Sequence, residues 1–210
     1  MTSTTQPDHT ATKTFTIDVV SDVVCPWCFI GKRKLEAALA LPEAQALGQV
    51  TVRWHPFQLN PDLPDEGISR QQYLADKFGG PQRAAEIYQR VRAAGQAVGL
   101  PLNIDGIQLQ PNTLAAHTLL AFAQEELNDA STVKEALLHA YFVENRFIGD
   151  IDVLCDIAWA CGLDADKARS YISDPVKQHA VAQADGRARA QGIQGVPFFI
   201  FNGKIGRAHV

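Results

Sequence analysis

Two cysteines lie one helical turn apart at the point where a strand-like segment meets a helical one, in the sequence Cys25-Pro26-Trp27-Cys28. Residues 14–20 alternate in polarity and are rich in β-branched side chains, a pattern typical of a β-strand. Pro26 fits the first position of a helix, where a missing N–H leaves no bond unmade, and the next proline is Pro42. The sequence therefore predicts a strand that delivers both cysteines to the beginning of a helix.

The rest of the chain predicts a sheet that is interrupted by helices. Residues 50–58 form a second strand-like run, and residues 196–201 form a third, followed by the hairpin signal Asn202-Gly203. Between these runs, capping residues and glycine stops predict helices that start near Ser69, Pro81, Asn112, Ser131, Asp150 and Asp174. We therefore expect one α/β domain that is divided in sequence by an all-helical insertion domain.

The positions of the two cysteines on the predicted helix give them different roles. Cys25 occupies the N-cap region, where free backbone N–H groups and the helix dipole favour a thiolate, so we expect it to be the nucleophile. Cys28 falls on the buried face one turn later, from which it could resolve a mixed disulfide formed at Cys25. Pro26 and Trp27 place an apolar surface beside an exposed Cys25 sulfur, which would suit the docking of a peptide substrate.

Two basic residues, Lys32 and Arg33, follow at least one turn further along the same predicted helix. They could add positive potential near the cysteines. A solvent-exposed helix face is the more ordinary interpretation of such residues, and we expect that one.

A Cys-x-x-Cys pair can also be half of a zinc site, which needs a second pair of ligands at similar spacing. The remaining cysteines, Cys155 and Cys161, have a five-residue spacer inside an apparent helix and do not match that spacing. They also cannot pair with each other while the helix is continuous, because residues six apart lie roughly 9 Å apart along its axis. The sequence favours redox chemistry without a metal ligand set, and a structural role for the second pair.

The dipeptide Val196-Pro197 is the third element of the candidate site. In a redox site, a cis-proline would lie against the cysteines and expose the preceding backbone N–H and C=O groups to an extended substrate. An edge-strand proline in the trans form is the alternative, and the residues alone leave both open.

Several segments together resemble the FrnE-like branch of the DsbA family, over roughly residues 14–204. The resemblance is carried by residues 21–32, by Gly195-Val196-Pro197-Phe198-Phe199, and by the middle segments 111–117 and 140–151. It implies a thioredoxin-like fold with the helical insertion, a cis-Pro197 and thiol–disulfide exchange. The implied catalytic residues are Cys25, Cys28 and Pro197, and the implied substrate-binding residues are Pro26, Trp27, Val196, Asn112 and His117. For the last two, a helix cap at Asn112 and a half-buried, hydrogen-bonded His117 are the plainer interpretations.

Two other functions remain open. A related branch contains 2-hydroxychromene-2-carboxylate isomerases and kappa-class glutathione transferases, but its members resemble this chain less because they carry serine at the reactive position. A non-enzymatic zinc-binding or chaperone-like module is the third possibility. In the favoured function no cofactor is expected beyond the redox-active disulfide, with glutathione as a candidate co-substrate.

The expected domain boundaries follow the changes of pattern and the resemblance. Residues 1–12 are expected to be a disordered tail, residues 13–64 and 175–204 the two parts of the thioredoxin-like domain, and residues 65–174 the helical insertion domain. Related sequences continue further, whereas residues 205–210 match one reading frame of a widely used sequencing-library adapter, so we expect a foreign tail on a truncated chain. The loss of an outer strand and its covering helix would expose apolar surface and favour aggregation.

The charge pattern bears on partners and location. The net charge of −4 is spread along the 210 residues, so neither a nucleic-acid partner nor a basic membrane-binding patch is favoured. No apolar run is long enough to cross a bilayer, and the first residues lack the apolar stretch of a secretory signal. We expect a cytoplasmic monomer or dimer that acts on protein or small-molecule disulfides and dithiols with a cellular thiol reductant.

Overall fold

The computed structural model describes residues 14–206, and the tail expected at residues 1–12 lies outside this range. The strands within it are β1 (Phe15–Ser21), β2 (Val50–Pro56), β3 (Ile68–Ser69), β4 (Leu109–Gln110), β5 (Phe198–Phe201) and β6 (Lys204–Gly206). The helices are α1 (Pro26–Leu39), α2 (Pro42–Gln45), α3 (Arg70–Phe78), α4 (Pro81–Gln96), α5 (Leu114–Leu127), α6 (Ser131–Phe142), α7 (Ile151–Ala160), α8 (Ala165–Ile172) and α9 (Pro175–Ala190). A short 3-10 helix lies at Ile104–Gly106.

The main sheet has the strand order β2-β1-β5-β6. Strands β1 and β2 are parallel, whereas β5 is antiparallel to β1 and forms a hairpin with β6. Asn202 and Gly203 make the hairpin turn, with φ angles of 46° and 72°. Strands β3 and β4 form a separate two-stranded ribbon. Helices α3 to α8 lie in sequence between β2 and α9, so the predicted α/β fold with a helical insertion is confirmed. The insertion is not all-helical, because it also contains the ribbon of β3 and β4, whose backbones pair with each other.

Helix α1 joins the sheet to the helical part of the molecule. On one side, Leu35 and Leu39 pack against residues of β1 and β5. On the other side, Phe29 and Ile30 are fully buried in the large core to which helices α4 to α8 contribute. Burying side chains of this size contributes about 1.5–3 kcal/mol each relative to exposure. These contacts fix the N-terminal end of α1, which carries the two cysteines.

Helix α9 covers the opposite face of the sheet. Its Ala188 belongs to a small core with Val20 of β1, Phe57 and Ile193. Because β1 is covered on both faces, its run of apolar residues is buried along most of its length. The segment that follows β1 therefore enters the molecule between two layers of helices.

The predicted helix starts agree with the structure at several caps. The Ser69 hydroxyl accepts the N–H of Gln72 at 3.1 Å, and Asp150 and Asp174 cap α7 and α9. Two predicted caps are wrong by one residue, because the structure has Thr113 and Ala130 at the N-caps of α5 and α6.

The physical reason for these two errors is the same at both helices. The side-chain oxygen that accepts the first free N–H belongs to an earlier residue: Asn112 accepts the N–H of Leu114, and Asp129 accepts that of Ser131. A side chain can bond an N–H two residues on without being the boundary residue itself. At α5 the predicted capping side chain, Asn112, was therefore correct, and only its position relative to the boundary was wrong. At α6 the predicted cap was wrong, because the Ser131 hydroxyl accepts the Nε1–H of Trp54 instead.

Strand β6 includes Ile205 and Gly206, two residues of the segment expected to be foreign. Their backbones pair with Ile200 and Phe199 of β5. The outer strand that we expected to be lost is therefore present over three residues, because ladder pairing uses backbone groups that every residue except proline provides. Residues 207–210 lie outside the described range.

Candidate active site

Cys25 is the residue that begins helix α1. Its backbone is extended, with φ −97° and ψ 113°, and Pro26 occupies the first helical position as predicted. The Cys25 carbonyl accepts the N–H groups of Cys28 and Phe29 at 3.0 and 3.3 Å, which closes the first turn. No other side chain caps this helix, and the backbone N–H groups of Trp27 and Cys28 interact with the Cys25 sulfur.

Both cysteines are free thiols and both are buried, with 4% of the surface of Cys25 and 1% of that of Cys28 exposed. The burial of Cys28 agrees with the prediction from the helix face. The expectation of an exposed Cys25 sulfur is wrong, because the Val196-Pro197 segment lies against it. The Cys25 sulfur is 3.7 Å from the Val196 carbonyl oxygen, which can accept the thiol proton.

The surroundings shift the pKa values of the two thiols in opposite directions. A hydrogen bond from the Cys28 thiol lowers the pKa of Cys25, with help from backbone N–H groups, and outweighs burial and the charge of Asp22. Burial raises the pKa of Cys28 well above its ordinary value, and Cys25 raises it further. Cys25 is therefore the thiol that ionises first.

The register of β5 against β1 brings Val196-Pro197 to the cysteines. Val20 of β1 pairs with Phe198, so Pro197 lies where β1 ends, and the Val196-Pro197 peptide bond is cis. Gly31 of α1 makes room for this approach, because a Cβ there would lie 3.0 Å from the Pro197 Cγ. The sequence alone does not indicate this contact between Gly31 and Pro197.

Pro26 and Trp27 are half-buried, as are Val196 and Pro197. Trp27 packs against the core of the helical region. An incoming substrate would thus meet these four partly exposed residues around a sulfur that is itself enclosed.

A buried carboxylate, Asp22, lies just before the cysteines and was missed by sequence reasoning. It accepts the N–H groups of Val23 and Leu59, each at 2.7 Å, and its Oδ1 lies 3.2 Å from Nε2 of His117. Burial would raise the pKa of Asp22, but the hydrogen bond and charge of His117, the Leu59 N–H and the charge of Lys134 together lower it. An acidic residue inside the apolar segment 19–24 was the signal in the sequence.

His117 and Asn112, the two predicted substrate-binding residues of the helical region, bond to groups of the protein itself. His117 is 3% exposed and bonds to Asp22. The Asn112 side chain accepts the Nε2–H of Gln58 and donates to the carbonyls of Pro61 and Leu63. The bonds of Asn112 hold the segment that follows β2, and Leu59 of this segment bonds to Asp22.

Side chains of α9 also bond to the segment that follows β2. The N–H of Gln58 donates to Asp185 at 3.0 Å, and Arg189 bonds both the other Asp185 oxygen and the Gln58 carbonyl. Neither Asp185 nor Arg189 carried a recognisable sequence signal, because both lie in an otherwise polar helix.

The basic residues after the cysteines are not on a solvent-exposed face, which corrects the sequence interpretation. The Lys32 side chain is 4% exposed and forms ion pairs with Glu36 and with Glu135 of α6. Arg33 is partly buried and pairs with the same two carboxylates. The physical reason is that α6 packs against α1 and places Glu135 beside both cations.

Lys134, the residue before Glu135, is fully buried and was also missed. Its neighbours on the apolar face of α6 are Val133, Leu137, Leu138 and Tyr141. A lysine at an apolar position of an amphipathic helix is the signal that could have identified it.

The second pair of cysteines lies in α7. Cys155 is buried within the helix, and Cys161 follows its last residue. Among residues 14–206 there is no group of three or more His, Cys, Asp or Glu side chains arranged to hold a metal ion. Within the same range, no helix has both the length and the apolar character that a membrane span requires.

A family model for the DSBA-like thioredoxin domain matches residues 16–209 of the chain. The chain is also 28% identical over 190 residues to the uncharacterized protein YwbO of Bacillus subtilis strain 168. That match covers 90% of this chain and 88% of YwbO.

Two solved structures share the fold. A probable DsbA oxidoreductase from Streptomyces coelicolor has a TM-score of 0.79 and 28% identity, with 90% of this chain and 80% of that chain covered. The cytosolic disulfide reductase DsbM from Pseudomonas aeruginosa, in its structure with GSH, has a TM-score of 0.65 and 16% identity, with 91% and 88% covered. At that identity the second likeness concerns the fold alone. The predicted thioredoxin-like fold is confirmed by these matches.

Proposed function

Because the chain belongs to the family of DSBA-like thioredoxin domains, we propose that it is a thiol–disulfide oxidoreductase with Cys25 as nucleophile and Cys28 as resolving thiol. One observation carries the assignment of roles: the pKa is lowered at Cys25 and raised at Cys28, one helical turn away. The thiolate is the reactive form of a cysteine, so the two thiols act in a fixed order.

The proposed reaction has two displacement steps. The Cys25 thiolate attacks a sulfur of the substrate disulfide, which forms a mixed disulfide and releases one substrate thiolate. Cys28 then loses its proton and attacks the Cys25 sulfur, which forms the Cys25–Cys28 disulfide and releases the second substrate thiolate. The substrate gains two electrons and the protein loses two, and the released thiolates take up protons from solvent. The reverse sequence transfers the disulfide to a dithiol substrate.

The proposed substrate-binding surface is formed by Pro26, Trp27, Val196 and Pro197. An extended substrate next to Val196 would bond its backbone groups, while Trp27 contacts the apolar part of the substrate. We assign Asn112 and His117 to positioning, because their bonds hold the segment after β2 and Asp22.

The test is turnover with insulin and with a small disulfide, comparing Cys25→Ser with Cys161→Ser. We expect the first variant to be inactive and the second to match the unmodified protein, since Cys161 lies at the far end of another helix. Thiol trapping should also reveal a Cys25–Cys28 disulfide that an added dithiol reduces.

Full activity of Cys25→Ser would overturn the proposal. Glutathione-dependent turnover of an aromatic substrate that survives this substitution would instead indicate an isomerase or glutathione transferase. Stoichiometric zinc bound to the purified protein would indicate a metal-binding module.

A cytoplasmic location and regeneration by a cellular thiol belong to the same proposal. The direction of electron flow follows from the potential of the Cys25–Cys28 pair relative to that of the compartment. Titration of the pair against glutathione measures that potential, and a pair that stays oxidised at the cytoplasmic glutathione ratio would contradict a reductase role there.

A further inference from the structure

A lysine of the helical region is buried next to the reactive helix without a hydrogen-bond partner. Lys134 lies in α6, which packs against α1, and none of its surface is exposed. Its Nζ forms no hydrogen bond with any residue in the range 14–206, and it lies 5.6 Å from the centroid of the Trp54 ring. A buried ammonium group without a partner is costly, so a position that keeps one is a candidate for function.

The charged and titratable groups that act on Lys134 come from three elements. They are Cys25, Cys28 and Lys32 of α1, Asp22 in the segment after β1, and His117 of α5 through its bond to Asp22. Among the charges, Cys28 has the largest effect on Lys134, ahead of Asp22 and Cys25.

The other charges of this cluster are already paired. Asp22 accepts two backbone N–H groups and bonds to His117, and Lys32 pairs with Glu36 and Glu135. While both cysteines are thiols, the ammonium group of Lys134 therefore has no unpaired anionic group of this cluster to interact with. A thiolate at Cys28 would provide such a group.

The pKa shifts of Lys134 and Cys28 agree with this arrangement of charges. Burial lowers the pKa of Lys134 to about 8, while the charge of Cys28 acts in the opposite direction. The effect is mutual, because Lys134 lowers the pKa of Cys28 against the burial that raises it.

Resting on the oxidoreductase function above, we propose that Lys134 is a positioning residue for the resolving step, in which its ammonium group stabilises the thiolate of Cys28. In that step Cys28 releases its proton to solvent and its thiolate attacks the Cys25 sulfur of the mixed disulfide. The Cys25–Cys28 bond forms as the bond to the substrate sulfur breaks, and the substrate leaves as a thiolate. Lys134 takes no part in the attack by Cys25 on the substrate.

The two steps can be observed separately with 5,5'-dithiobis(2-nitrobenzoate) as the disulfide. Attack by Cys25 releases the first coloured thiolate and resolution by Cys28 releases the second, so stopped-flow absorbance gives a rate for each. We compare Lys134→Met, which keeps a side chain of similar length without the charge, with Lys34→Met, which removes a charge from the exposed face of α1.

In Lys134→Met we expect the second release to slow at least about tenfold at neutral pH, since each unit of increase in the thiol pKa lowers the thiolate fraction about tenfold. Its pH profile should move to higher pH, while the first release and the unfolding midpoint change little. Lys34→Met should match the unmodified protein in both steps. An unchanged second step and pH profile in Lys134→Met would overturn the proposal.

A second variant covers the case in which Lys134→Met fails to fold. Lys134→Arg keeps the charge and should resolve at close to the original rate. A second release slowed about tenfold or more in the folded Lys134→Arg protein would also overturn the proposal. Failure of the proposed function is distinct, because the unmodified protein would then release no first thiolate through Cys25.

Discussion

The two cysteine pairs of this chain lie at different positions on their helices. Cys25 and Cys28 are at the beginning of α1, whereas Cys155 lies within α7 and Cys161 directly follows it. Burial raises the pKa of Cys155 and of Cys161, whereas the pKa of Cys25 is lowered although Cys25 is the more buried residue.

Burial alone therefore does not determine the pKa values of these thiols. At the start of a helix, free N–H groups and the positive end of the dipole stabilise a thiolate, and the opposite end of a helix does the reverse. Cys25 also receives a hydrogen bond from a second thiol. We therefore expect the same residue type to be a nucleophile at one place and an unreactive side chain at the other.

The largest expected difference between the pairs is in the Cys28→Ser variant. Without the resolving thiol, the mixed disulfide at Cys25 should accumulate and turnover should stop, because no internal thiolate can release the product. Intact-protein mass spectrometry detects the adduct. The matched variant Cys155→Ala should form no lasting adduct, and sustained turnover by Cys28→Ser would remove the distinction between the pairs.

A smaller difference between the pairs is expected in the pH dependence of their alkylation by iodoacetamide. Cys25 should react at pH values where Cys155 and Cys161 are still protonated, with about a tenfold difference in thiolate fraction for each unit between their pKa values. Peptide mapping of the modified protein gives the rate at each position. Equal pH midpoints for Cys25 and Cys161 would contradict the helix-start argument.

The next largest expected effect is on stability, when a glycine in a helix is replaced by alanine. Gly31→Ala should cost about 1–3 kcal/mol of unfolding free energy and slow turnover, because the added methyl group meets the Pro197 ring. Gly186→Ala in α9 has open space around it and should instead stabilise the protein by about 0.5–1 kcal/mol. Denaturant unfolding with activity assays checks both, and a neutral Gly31→Ala would show that Pro197 can move away freely.

The smallest expected effect follows the removal of one charge near Cys25. The charge of Asp22 raises the pKa of Cys25, so Asp22→Asn should shift the alkylation profile of Cys25 to lower pH. Cys161 should keep its profile, since burial is the cause of its shift. A shift of Cys25 to higher pH would contradict the sign of this interaction.

The same substitution tests a pH dependence of stability. Because the pKa of Asp22 is lowered in the folded state, its contribution to the unfolding free energy is complete above about pH 3.8, the ordinary pKa of an aspartate. It is lost as the pH falls through the lower folded value. As the pH falls through this acidic range, the urea midpoint of the original protein should therefore decrease more than that of Asp22→Asn.

The parts of the site that were predictable depend on neighbouring residues. A proline at the first helical position and a strand-like run before it are enough to predict how Cys25 and Cys28 are presented. The errors concern contacts between distant segments. Lys32 was expected in solvent and is buried, because Glu135 of α6 lies against it.

Periodicity and proline geometry act within one or two turns, so the local sequence is enough to predict that a strand leads to a helix that begins at Cys25. What surrounds the two sulfurs depends instead on contacts between segments that are far apart in the chain. Asp22 and His117 are 95 residues apart in the chain, and Lys134 comes from yet another helix. Which of these groups meet, and therefore the pKa of each thiol, depends on how the helical region packs against α1, and no local pattern encodes that packing.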